Sequence, residues 1–243
     1  MTSRLEIIGD ATLYLGDCEE VMPTLGTASV DLILTDPPYK VEMHGRGLGK
    51  RKIYGDSGEW SNIDLNLFGG DAIMDEWLRL CKFPNIFSFC DKRELRDLMN
   101  QAHKRGLQYA PVPLCKTNPM PFARNWLGKE EGVHIYDRFL GYNKDTADKM
   151  PYFLISVGGV KDSPHPNVKP GAVLRSILRN LSLPGHTIFD PYMGSGSTGI
   201  AALRLGRKFA GIERTQKWFD ESCRRMDAIV KQQSLPFGGE AAA

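Results

Sequence analysis

Apolar positions recur with two different periods along this chain. The runs Leu13–Leu15 and Val30–Thr35 read as short buried strands, with a helical pattern over Cys18–Leu25 between them. Asp71–Cys81 sets Ile73, Met74, Trp77, Leu78 and Cys81 on one helical face, and Asn85–Cys90 follows as a strand. Lys92–Arg105 reads as a helix with Leu95, Leu98, Met99 and Ala102 inward, closed by Gly106. Leu107–Cys115 is a further strand, and Pro111, Pro113, Pro119 and Pro121 mark an irregular stretch. Strand patterns return at Tyr136–Tyr142 and Tyr152–Val157. The last third predicts helix Gly171–Leu181, strand Thr187–Phe189, helix Ser197–Leu205, strand Lys208–Ile212 and helix Gln216–Val230, with a frayed tail from Ser234. This alternation predicts an α/β fold, a doubly wound and mostly parallel sheet in a single domain over residues 1–233.

Composition narrows the classes. The chain has 243 residues, 42% hydrophobic and 25% charged, close to the globular average. Its five cysteines are odd in number and form no Cys-x-x-Cys pair, which argues against a disulfide framework and a zinc ribbon and for a reducing compartment. No metal is expected. No apolar run approaches a membrane span and no basic-then-apolar leader is seen, so the expectation is a cytoplasmic protein without a membrane partner. The net charge of +2 is too small to announce a nucleic-acid binder. Its distribution says more: between Lys40 and Lys52 stand Lys40, Arg46, Lys50, Arg51 and Lys52 against Glu42 alone, interleaved with glycines. Such a loop, taken to run over 40–62, is either a solvated surface segment or a clamp for phosphates.

Two motifs carry candidate chemistry. Gly194-Ser195-Gly196-Ser197-Thr198-Gly199 lies between a strand and a helix, where glycines let backbone approach a ligand and a helix start favours an anion. Glu213 follows at the end of the next strand, where a carboxylate can accept from both ribose hydroxyls of a nucleoside. The glycine string alone fits a tight turn as well. The second motif, Asp36-Pro37-Pro38-Tyr39, follows the strand Val30–Leu34. Average residue usage gives such a tetrapeptide on the order of once in a thousand chains of this size. Its prolines force a rigid turn at the strand's carboxyl end, where α/β sheets hold ligands. A plain proline turn would leave the joint presentation of a carboxylate and an aromatic ring unexplained.

These residues resemble the DNA amino-methyltransferases that modify exocyclic base amines, in the permuted motif order of the β class. Asp36–Tyr39 matches that family's catalytic motif, and Phe189-Asp190-Pro191-Tyr192-Met193-Gly194-Ser195-Gly196-Ser197-Thr198 matches its S-adenosylmethionine loop. His165-Pro166-Asn167-Val168-Lys169-Pro170 matches the segment preceding that loop, and Gly16-Asp17-Cys18 the element that meets adenine. The match covers roughly residues 10–230. Tyr192 and Ser197 replace a more usual Phe and Thr, and the room for target recognition is short, about 116–165.

The resemblance implies a Rossmann-like fold of the S-adenosylmethionine methyltransferase type. It implies catalytic Asp36, Pro37, Pro38 and Tyr39 and a cofactor site from Asp17, Cys18, Asp36, Lys169, Phe189, Asp190, Met193, Gly194, Ser195, Gly196, Ser197, Thr198 and Glu213. Lys169 would approach the methionine carboxylate or pin the loop. Double-stranded DNA is the expected partner, held through Lys40, Arg46, Lys50, Arg51 and Lys52, with homodimerisation left open. Asp at the head of the catalytic motif points to N6 of a flipped-out adenine, and cytosine N4 is the alternative. A nicotinamide-dependent oxidoreductase built on the glycine string and a catalytically silent DNA-binding module also stay in view. Trp126 in the expected insert could stack on a base or fill a gap.

Overall fold

A computed structural model describes residues 4–37, 71–90, 92–116, 129–137, 153–155 and 169–234. Among the described residues nine strands form one mixed sheet: β1 (Arg4–Ile8), β2 (Ala11–Leu15), β3 (Leu32–Thr35), β4 (Asn85–Cys90), β5 (Gln108–Lys116), β6 (Lys129–Tyr136), β7 (Phe153–Ile155), β8 (Thr187–Asp190) and β9 (Lys208–Glu213). Their order is β1-β2-β9-β8-β3-β4-β6-β5-β7, with β2, β9, β8, β3 and β4 parallel in succession. The helices are α1 (Cys18–Val21), continued by a 3₁₀ turn at Met22–Thr24, α2 (Asp71–Leu80), α3 (Lys92–Lys104), α4 (Gly171–Leu181), α5 (Ser197–Arg204) and α6 (Gln216–Ser234).

The strand sequences dictate two covered faces. In β3, Leu32 and Leu34 point into a core shared with α4, α5 and α6, while Ile33 joins the core of α2 and α3 on the other side. All four residues of β3 and all six of β4 are buried, as expected of central strands packed on both faces. Polar ties reinforce the centre. Asp31 accepts from the Thr187 amide at 2.8 Å, joining the amino ends of β3 and β8. Asn85 donates to the carbonyls of Asp31 and Leu181, which commits its Oδ1 to accepting from His134 Nε2 at 3.0 Å. Burial takes the imidazole down to about 4, so it is the neutral Nε2–H tautomer that makes this bond.

Several sequence expectations shift. The strand expected at Tyr136–Tyr142 lies outside the described residues beyond Asp137, while β6 went unread: Val133 and Ile135 are its inward residues, and the Lys-Glu-Glu that opens it masked the alternation. It lies between β4 and β5, so part of the expected recognition insert is central sheet. Strand β5 runs through Pro111 and Pro113, spaced by two along the edge that β7 covers only from Leu114 onward. Strand β1 went unread because Leu5 and Ile7 are exposed on one face while Arg4 and Glu6 carry charge.

The strand order changes direction between β3 and β8. From β3 the chain proceeds through α2 to β4 on one side; from β8 it proceeds through α5 to β9 on the other. Connections leaving in opposite directions open a crevice at the carboxyl ends of those two strands, the place where such sheets bind ligands.

Candidate active site

Both motifs stand at that crevice. Asp36 and Pro37 directly follow β3, and Pro191 to Gly196 directly follow β8. The hydroxyl of buried Thr35 donates to Asp190 Oδ1 at 2.8 Å, and the Tyr192 amide donates to the same oxygen at 3.1 Å. The Thr198 hydroxyl supplies a further hydrogen bond. Burial nonetheless pushes the Asp190 carboxyl up to about 7, and the neighbouring Asp36 charge adds to the rise while the donors oppose it. Asp190 therefore knots the Asp36–Pro37 turn to the glycine loop.

The second half of the site forms where β2 and β9 end. Leu15 pairs with Glu213, and the Gly16 amide donates to the Glu213 carbonyl at 3.0 Å. Asp17 is the N-cap of α1, accepting from the Glu19 amide at 3.0 Å. The Met193 amide donates to the Ile212 carbonyl, and the Gly194 amide donates to the Glu213 carboxylate. That carboxylate also accepts from the Thr215 amide at 2.7 Å. Burial raises the pKa of Glu213, and these donors counter it. Gly16–Asp17, Gly194 and Glu213 thus meet although far apart in sequence.

The glycine loop is shaped by packing as well as by any ligand. Gly196 caps α5 at φ +79°, and a Cβ there would stand 2.7 Å from the Met226 methyl and 2.9 Å from Ser222 Cβ. Gly194 also has positive φ, at +51°. Sequence reasoning missed Arg225 altogether. Its guanidinium, half-buried under the loop, donates to the Ser195 carbonyl at 2.6 Å, to Ser195 Oγ at 3.0 Å and to Ser197 Oγ at 3.5 Å. It lies in the helical pattern of α6 with nothing local to distinguish it from exposed Arg224, which pairs with Glu221.

Tyr192, one of the two departures from the family pattern, has a structural reason. Its hydroxyl donates to the sulfur of Cys18, so the phenol bridges the loop after β8 to the start of α1. Burial pushes the Cys18 thiol up to about 11, keeping it neutral. Phe189 and Met193 are core side chains, at 0% and 4% exposure, so only their backbone can face a ligand. Lys169, just ahead of α4, meets Asp36: its Nζ is 3.1 Å from Asp36 Oδ2 and 4.9 Å from the centre of the Phe89 ring. Pro38, Tyr39, Lys40, Arg46, Lys50, Arg51, Lys52 and His165–Val168 lie outside the described residues, as does Trp126.

Known proteins resemble the chain along most of its length. The family model for DNA methylase matches residues 91–223, more than half of it. The Type II methyltransferase M.HinfI of Haemophilus influenzae is 26% identical over 90% of this chain and 68% of its own. The crystal structure of the M1.HpyAVI–S-adenosylmethionine complex superimposes with a TM-score of 0.67 at 24% identity, covering 89% of this chain and 99% of that one. The cytosine-N4-specific PvuII DNA methyltransferase gives a TM-score of 0.71 at 14% identity over 96% of each chain. At these identities the two structures establish a common fold.

Proposed function

The chain belongs to the DNA methylase family, the amino-methyltransferases of adenine N6 and cytosine N4, and we propose that it methylates the N6 amine of an adenine flipped out of duplex DNA. The observation that carries this reading is the junction of catalytic turn and glycine loop at the switch point, tied by Thr35 and Asp190. S-adenosylmethionine is the methyl donor, and bound there it supplies a methyl group already activated on a sulfonium.

The residues fit that cofactor. Glu213 is a half-buried carboxylate at a strand end, with roughly four acceptor sites of which the Gly194 amide and Thr215 use part. It would hold ribose hydroxyls. Asp17, half-exposed beside it, would meet the adenine edge, and the start of α5 at Ser197–Thr198, beside the Arg225 cation, suits a carboxylate.

The difficult partner is the aryl amine, whose lone pair is delocalised into the ring. The Asp36 carboxylate and the Pro37 carbonyl each accept one amine hydrogen in this reading. That favours a pyramidal nitrogen and aims its lone pair into the crevice. Tyr39 would stack on the base and the basic loop would hold flanking phosphates. Recognition of the DNA sequence falls in this reading to the parts of the 116–165 insert outside β6 and β7.

Asp at the head of the motif supports adenine over cytosine. Incubation with radiolabelled S-adenosylmethionine and DNA, followed by digestion to nucleosides, tests this. Label in N6-methyladenine is expected. Label in N4-methylcytosine would overturn the choice of base, and unlabelled DNA would overturn the function.

A further inference from the structure

We infer that Lys169 is a positioning residue for the catalytic carboxylate, not primarily a ligand of the cofactor. The inference rests on the functional reading above. Its starting point is an ion pair inside the crevice: Lys169 Nζ stands 3.1 Å from Asp36 Oδ2, with the two side chains only 12% and 26% exposed. The ammonium also lies 4.9 Å from the centre of the Phe89 ring, itself 1% exposed on β4. An ion pair this enclosed escapes most of the screening that makes exposed pairs weak. The ring face adds a second attraction that fixes where the ammonium sits.

The charges at the strand ends explain why a cation is placed here. Asp36 follows β3, and Asp190 ends the neighbouring β8 and feels the Asp36 charge. Among the described residues, Lys169 is the cation that pairs with Asp36. Two carboxylates crowded at one edge repel, and Lys169 offsets the repulsion on the side facing the incoming base. By engaging Oδ2 it also fixes the carboxylate plane. A carboxylate has roughly four acceptor sites, so a lysine bond leaves capacity to accept an amine hydrogen. Geometry is the quantity at stake, because methyl transfer needs the amine lone pair in line with the carbon–sulfur bond. In that step the nitrogen lone pair forms the N–C bond and the C–S pair remains on sulfur as a thioether. The nitrogen's surplus proton then leaves to water. A misplacement of about 1 Å can cost on the order of a hundredfold in rate.

The two roles for Lys169 separate in kinetics. Single-turnover methyl transfer is measured at saturating S-adenosylmethionine and DNA, beside calorimetric affinity for S-adenosylmethionine. The proteins are the unchanged chain, Lys169→Met, Lys169→Arg and Phe89→Leu. Positioning predicts that Lys169→Met loses about a hundredfold in saturating rate while cofactor affinity stays within about threefold. Lys169→Arg, which keeps the charge, recovers most of the rate. If Lys169→Met does not fold, Phe89→Leu decides: it removes the ring beneath the ammonium and should lower the saturating rate without weakening the cofactor. A Lys169→Met or Phe89→Leu protein with unchanged saturating rate overturns the proposal. So does a loss confined to cofactor affinity, which would make Lys169 a cofactor ligand. Absence of transfer by the unchanged chain would overturn the functional reading and this proposal together.

Discussion

The Thr35 hydroxyl donates to Asp190 across 155 residues of chain, at 2.8 Å and in full burial. That bond joins the residue before the Asp36–Pro37 turn to the residue that opens the glycine loop. One residue further along each strand, the chain has left the sheet and entered the crevice. The fold therefore ties the two motifs together through a buried hydrogen bond at the strand ends.

His134 should make the protein acid-sensitive. Its imidazole is held neutral, down to about 4, whereas in the unfolded chain it protonates near 6.5. Between those values the unfolded state binds a proton that the native state does not, so stability falls as pH drops through the window. The loss amounts to up to about 3 kcal/mol at about 1.4 kcal/mol per unit. Asp190 acts with the opposite sign: its carboxyl is raised to about 7, so its contribution is full near pH 4 and is lost as pH rises. Urea denaturation of the unchanged chain and His134→Gln, compared across the window, cancels the Asp190 contribution. The difference between the two should narrow toward acid; a constant difference would mean the imidazole takes up its proton in the native state as readily as in the unfolded one.

Glu213→Ala should weaken S-adenosylmethionine by about 1.5–3 kcal/mol, the range for hydrogen bonds to a charged group. The same substitution strips the Gly194 amide of its acceptor, so the loop loosens as well. Calorimetry showing unchanged affinity would reduce Glu213 to a turn-capping residue.

Arg225→Met should lower cofactor affinity about tenfold without touching any ligand atom. The cation holds Ser195 and Ser197 from below, and its removal leaves the buried Ser195 carbonyl short of a donor. Calorimetry checks this beside circular dichroism. Full affinity in a folded variant would show that the loop holds its shape through Gly194 and Asp190 alone.

Neutralising Arg46, Lys50, Arg51 and Lys52 together should weaken DNA binding similarly for cognate and scrambled duplexes, because bonds to phosphate carry little sequence information. The salt slope should fall by about 0.9 for each phosphate no longer neutralised. Titrations at several salt concentrations test both. An unchanged slope would return the segment to plain solvated surface, and weakening confined to cognate DNA would make it a reader of bases.

Much of this was legible in the sequence where one physical rule dominated. The buried strands β3 and β4 and the helices α2 to α6 follow from periodicity alone, each within a few residues of its observed ends. The pairing of Asp36–Pro37 with the glycine loop followed from motif chemistry at strand ends. The sequence hid what depends on long-range packing. Strand β1 is an edge with apolar residues turned outward, and β6 opens with three charged residues. Arg225 and the Lys169–Asp36 pair join distant elements in ways that no local pattern encodes.

The central claim is that Asp36 acts on the incoming amine and not on the cofactor. Asp36→Ala tests it most directly, with S-adenosylmethionine affinity measured by calorimetry beside single-turnover methyl transfer into DNA. The expected result is transfer slowed by at least about a hundredfold with cofactor affinity within about threefold of the unchanged chain. Loss of cofactor binding along with activity would contradict the claim and make Asp36 chiefly a cofactor ligand.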